Sequence, residues 1–176
     1  MLKSRPDRYG AIAVSIHWLS AVLILALLGS GFRAANAIDA AAKAGFLLFH
    51  IPVAIVVLLL TALRIVWWRL DRKPLPVQGS PRWQERIARW VHVAFYAVIL
   101  GMVASGIGMM VLSGAAPAVF GVPGALLPNF ADYPPRAPHG LGAFLIVGLL
   151  AFHAGAALYH QFIRGDGLLR RMWYGG

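Results

Sequence analysis

The chain has 176 residues, enough for one domain; 60% of them are hydrophobic, only 12% are charged, and the formal net charge is +10. Soluble domains carry about 45–50% apolar and about 25% charged residues, so these values point to lipid as the solvent. Cysteine is absent, which excludes disulfides, thiolate catalysis, iron–sulfur ligation and covalent haem attachment. The positive charge lies in segments beside apolar stretches, where it sets membrane topology, so no nucleic-acid partner is expected.

Four stretches are long enough to cross a hydrocarbon core of about 30 Å, which needs about 20 helical residues. The first runs from about Ala11 to Phe32. A cleavable signal peptide is the alternative there, with Lys3, Arg5 and Arg8 as its basic region and Ala35-Asn36-Ala37 as its cleavage site. The apolar run exceeds the roughly 7–15 residues of such signals, which favours a membrane span. The second stretch runs from about Ala40 to Trp68. A break at Pro74, Pro76, Gly79 and Pro81 separates it from the third, about Ile87 to Leu112. A connection containing Pro117, Pro123, Pro128, Pro134 and Pro135 follows, too long for a simple turn and expected along the outer surface. The fourth stretch runs from about Pro138 to Phe162. Lipid offers no partner for unpaired backbone groups, so all four are helices, and the fold class is an all-α, integral membrane four-helix bundle.

Thirteen basic residues lie at the N-terminus, the second connection and the C-terminus, and three (Arg33, Lys43, Arg136) lie in the other two connections. This asymmetry places both termini in the cytoplasm. Arg64 and Arg164 are counted here as topology residues. Trp67, Trp68, Trp83, Trp90, Trp173 and Tyr174 fall near the same interface, as in an aromatic belt.

The chemistry resides in six histidines, His17, His50, His92, His139, His153 and His160, all in or at the ends of the spans. A single one would be an ordinary packing histidine as readily as a ligand. Six ionisable rings, with no Asp or Glu inside those spans, point to function. By depth they form two layers: His50 and His139 outer, His17, His92, His153 and His160 inner. His139 and His153 are 14 residues apart. At about 100° per residue they fall within about 40° of each other, separated by about 21 Å along the helix. One helix thus offers an imidazole at each depth to partners on other helices, a way to hold two haems stacked across the membrane. Two imidazoles per iron leave no open position, which suits electron transfer. Depth alone leaves His17 and His92 as alternatives for the inner layer, and His160 close behind on the same face. A haem-free metal-ion transporter is a reading of another class, but such sites usually add carboxylates or sulfur ligands.

Several segments carry a resemblance: Ser15-Ile16-His17-Trp18-Leu19, the surroundings of His50, Val91-His92-Val93-Ala94-Phe95-Tyr96, and His153-Ala154-Gly155-Ala156-Ala157-Leu158-Tyr159-His160. The tail Gly165-Asp166-Gly167-Leu168-Leu169-Arg170-Arg171-Met172 extends it. Over nearly its whole length the chain resembles the bacterial cytochrome b561 family of four-helix di-haem proteins, which includes superoxide:ubiquinone oxidoreductases. The resemblance implies two haem b groups, with His50 and His139 ligating the outer iron and His17 and His153 the inner. It implies an oxidoreductase that moves electrons from periplasmic superoxide to ubiquinone. His160 and His92 are then left to line a quinone site at the cytoplasmic side, since histidine can both bond a carbonyl and move a proton. The alternative within the family is a quinol-linked cytochrome b subunit that exchanges electrons with a periplasmic redox partner. The outer connections carry Arg33, Lys43 and Arg136 against Asp39 and Asp132, a net of +1, so long-range steering of an anion is not evident.

Overall fold

The computed structural model describes residues 1–77, 79 and 81–174. The C-terminal end of the expected single domain, 175–176, lies outside the described residues. Four long helices form the bundle: α1 (Ala11–Asn36), α2 (Ala40–Leu70), α3 (Arg82–Ser113) and, after the short α4 (Ala116–Val119), α5 (Arg136–Leu158). α5 continues as a π-helical turn, Tyr159–Arg164. No strand occurs among the described residues. All four long elements are apolar enough to span a membrane, and each exceeds the length that a bilayer requires.

Each helix runs past its expected limits. α1 ends at Asn36 rather than Phe32, and α3 begins at Arg82 rather than Ile87. The reason is physical: hydropathy marks the length in contact with hydrocarbon, whereas backbone hydrogen bonding continues through polar turns beyond it. Local chemistry sets the true ends. The Asp39 carboxylate accepts from the Ala42 amide at 2.8 Å and caps α2. Pro81 precedes α3, and its carbonyl accepts from the Gln84 amide at 3.0 Å. Gly114, at φ 60°, closes α3 in a left-handed conformation.

α1 packs chiefly on α2, and α3 on α5, so the bundle is two antiparallel pairs. Little of it is sealed by protein. α3 contributes no fully buried residue, and α2 only Val57 and Thr61. Large apolar side chains such as Leu25, Leu59, Ile107 and Phe144 face outward, as lipid contact requires.

The two ends differ. At one end, Ser4, the α2–α3 connection and the C-terminal tail are tied together. Ser4 donates its hydroxyl to Asp71 at 2.6 Å. The Leu75 amide donates to the Pro6 carbonyl at 2.8 Å, and Arg171 donates to the Leu75 carbonyl at 2.7 Å. Trp18 donates its indole N–H to the Met172 carbonyl at 2.8 Å. Both termini therefore share one face. At the other end, the third connection builds a small core of Ala115, Val119 and Phe130 against Leu47, Ile51, Met109 and Met110.

Candidate functional site

The six histidines are all half-buried. Five of them gather in two groups. In one, the rings of His50 on α2 and His139 on α5 lie 6.4 Å apart. In the other, His17 on α1 lies 6.0 Å from His153 on α5, and His92 on α3 lies 5.6 Å from the same His153. Phe95 packs on His153 edge-on at 5.7 Å. His160 is apart from both groups. Its Nδ1 meets Asp166 Oδ2 at 2.5 Å, and its ring neighbour is Tyr159.

The His50–His139 pair has a built-in second layer. The Ser105 hydroxyl donates to the Met102 carbonyl at 2.9 Å. His139 Nδ1 lies 3.1 Å from that same carbonyl and 2.9 Å from the Ser105 oxygen. A carbonyl only accepts, so the partners assign the proton to Nδ1 and leave Nε2 with its lone pair. α1 repeats the device. The Ser30 hydroxyl donates to the Leu27 carbonyl at 3.2 Å and its oxygen faces His50 Nδ1 at 2.9 Å. Each serine is followed by a glycine that admits the ring. A Cβ on Gly31 would stand 3.2 Å from His50 Cε1, and one on Gly106 would stand 3.4 Å from His139 Cε1. Holding the second ring nitrogen in this way fixes the tautomer of a metal-ligating histidine.

The inner group is arranged differently. Arg64 Nη2 lies 3.1 Å from His17 Nδ1. Arginine has no acceptor, so His17 Nδ1 accepts in this arrangement and Nε2 carries the ring proton; ligation of iron through Nε2 requires Arg64 to release Nδ1. No carboxylate lies within ion-pair distance of Arg64 among the described residues.

These features fit haem. A first-row metal binds imidazole nitrogen at about 2.0–2.1 Å, and the nitrogen lies roughly 1.1 Å from its ring centre, so one metal between two rings spaces the centres by about 6.3 Å. The pairs His50–His139 and His17–His153 bracket that value at 6.4 and 6.0 Å. The unpaired guanidinium of Arg64 suits a group that carries carboxylates, as haem does. Ser30, Ser105 and the pairing of Arg64 were not anticipated from sequence. The repeated Ser-Gly at 30–31 and 105–106 was the available signal.

A helical membrane protein with imidazoles paired between helices at two depths belongs to the class of b-type cytochromes. The sequence comparisons specify which: the family model for prokaryotic cytochrome b561 matches residues 8–175, and the chain belongs to that family. It is similar to cytochrome b561 homolog 2 of Escherichia coli (strain K12), 30% identical over 175 residues, covering 95% of this chain and 92% of the relative. It is also similar to cytochrome b561 homolog 1 of the same organism, 25% identical over 175 residues, covering 94% of this chain and 97% of the relative. Membership makes the chain a membrane-embedded electron carrier that uses b-type haem.

Proposed function

We propose that the chain is a di-haem oxidoreductase of the bacterial inner membrane, with both termini in the cytoplasm, that passes electrons from superoxide to ubiquinone. His50 and His139 hold the outer haem, and His17 and His153 hold the inner. The observation that carries this reading is the pairing of imidazoles at haem-compatible spacing, His50–His139 at 6.4 Å and His17–His153 at 6.0 Å. Bound haem supplies one-electron carriage between a radical donor and a two-electron acceptor.

The chain's own residues do the rest. Ser30 and Ser105 keep the outer pair in the ligating tautomer. Arg64 sets a positive charge beside the inner group. An open cleft of about 580 Å³ lies along the start of α5, lined by Asp132, Tyr133, Arg136, Gly140 and Phe144 among others. His139 is not among the lining residues but adjoins Gly140 on the same helix, and Arg136 sets a guanidinium in the cleft where a small anionic donor would approach. At the opposite face His160, and His92 within the inner group, line the quinone site. The balance is two superoxides, one ubiquinone and two protons giving two oxygens and one ubiquinol.

The test is a reduced-minus-oxidised spectrum of the detergent-purified protein with haem counted per chain, followed by superoxide-driven ubiquinone reduction with and without a superoxide scavenger. Two haem b per chain and scavenger-sensitive reduction are expected. One haem removes half of the ligand assignment. Two haems without superoxide-dependent reduction remove superoxide as donor and favour a quinol-linked exchange with a periplasmic redox partner.

A further inference from the structure

Asp166 has no role in electron transfer as described, yet its carboxylate is only 11% exposed and the His160 side chain facing it only 14%. Two left-handed glycines, Gly165 at φ 63° and Gly167 at φ 71°, flank Asp166. Only glycine adopts that conformation without strain, so the Gly-Asp-Gly turn folds the carboxylate back onto the helix it has just left. The Asp166 amide donates to the His160 carbonyl at 3.3 Å, and the Leu168 amide donates to Asp166 Oδ1 at 3.1 Å. The other oxygen, Oδ2, meets His160 Nδ1 at 2.5 Å and Arg164 Nε at 3.6 Å. Arg164 is itself anchored, to Gln84 Oε1 of α3 at 3.1 Å and to the Gly79 carbonyl at 3.2 Å. The segment that carries His160 is π-helical, Tyr159–Arg164, a form found frequently at functional sites.

We propose that His160 and Asp166 form a proton-delivering dyad for the quinone, with Asp166 as the positioning residue and Arg164 as its brace. This rests on the quinone reading of His160. An ionised carboxylate only accepts, so Nδ1 of the ring carries a proton and points at Asp166. Nε2 is the nitrogen left for substrate, and it has no protein hydrogen-bond partner among the described residues. A carboxylate behind an imidazole holds the ring's orientation and stabilises its doubly protonated form, the role it plays in hydrolase triads.

In quinone reduction the headgroup would gain two electrons, which the inner haem would supply when bound, and two protons. The dyad supplies one proton: the Nε2–H bond breaks, an O–H bond forms on the quinone oxygen, and the ring is left neutral with Nδ1–H still on Asp166. Protons from bulk solvent at the membrane surface restore the Nε2 proton and protonate the second quinone oxygen. Asp166 is the charged group against His160; Arg164, on the same helix, pairs with Asp166 and is held by the neutral Gln84 of α3.

The experiment uses the haem-loaded protein and ubiquinol-1, and follows haem reduction by stopped flow, the same proton path in reverse. Asp166→Asn slows this step by about 100-fold, the low end of the usual range for one acid–base group, with the haem spectrum and the KM for quinol unchanged. Asp166→Glu recovers part of the rate. An Asp166→Asn rate equal to wild type overturns the dyad. Should Asp166→Asn lose haem, His160→Gln, which leaves Asp166 bonded to Arg164, decides: a slowed step with intact spectrum supports the proposal and an unchanged rate overturns it. If the unaltered protein takes no electrons from ubiquinol-1, the quinone reading itself fails, a result separate from failure of the dyad.

Discussion

Ser30 and Ser105 hold equivalent places on two different helices, each between a backbone carbonyl and a histidine Nδ1. Loss of such a second-layer partner typically weakens metal binding by about 10- to 100-fold. Ser30→Ala removes the hydroxyl facing His50 Nδ1, and haem loss from the outer site should accelerate by about tenfold. Ser105→Ala is milder, because His139 keeps the Met102 carbonyl at 3.1 Å. Timed transfer of haem to an excess of an apo-globin measures both. Equal rates for both variants and wild type would show that these serines merely fill space. His139→Ala is harsher, since no other imidazole faces His50 among the described residues. It should leave one haem per chain. The histidines were legible in the sequence because an ionisable ring in a lipid span needs a reason. The serines were not, because a mid-span serine is also an ordinary small packing residue. Arg64 was read as a topology charge for the same cause: composition registers its position near the end of a span, not the His17 nitrogen it faces.

Side chains at the helix ends decide how the N-terminal segment is held. Asp71, just past α2, accepts from the Ser4 amide and hydroxyl and from the Trp67 indole. Burial opposes its charge, but the bonds from Ser4, the Arg72 amide and Trp67 outweigh that and hold its carboxyl below the usual carboxylate range. A carboxyl depressed in the folded protein contributes stability above the unfolded value of about 3.9. That contribution is lost as pH falls through the lower folded value. The N-terminal segment should therefore stay docked at neutral pH and loosen only in acid below about pH 4. Asp71→Asn should raise amide exchange at Ser4 and Gly10 by on the order of tenfold at neutral pH, the equivalent of one charge-assisted hydrogen bond. Hydrogen–deuterium exchange read by mass spectrometry checks this, and unchanged protection at Ser4 would refute it. None of this docking was visible in the sequence, because Ser4 and Asp71 meet only after α1 and α2 have paired. The third connection was legible only as a long proline-rich stretch. Its folding onto Leu47, Ile51 and Met109 through Val119 and Phe130 depends on helix ends that hydropathy does not locate.

At the scale of the whole molecule, four apolar runs and lipid chemistry were enough to read the architecture, since a helix satisfies its own backbone wherever water is absent. Pairing was not legible: nothing in the runs says that α1 lies on α2 and α3 on α5, a choice made by close approach at positions such as Gly31 against His50 and Gly142 against Met102. Both termini share a face with the α2–α3 connection, joined by Tyr9, Leu75 and Arg171. That face carries thirteen of the sixteen basic residues. Translocating them would cost more than retaining them, which is the basis for the proposed cytoplasmic placement of this face. The direction of electron flow hangs on this, because it sets the Arg136 cleft outside and His160 inside. The absence of native cysteine makes a background-free test available. Leu126, 91% exposed in the third connection, and Leu2, 67% exposed near the N-terminus, are suitable single positions. In intact cells whose outer membrane is permeable, a membrane-impermeant maleimide should label Leu126→Cys, and Leu2→Cys only after the inner membrane is opened. Labels in the opposite pattern would invert the protein, place His160 and Asp166 outside, and leave periplasmic superoxide facing the quinone end rather than the His50–His139 pair.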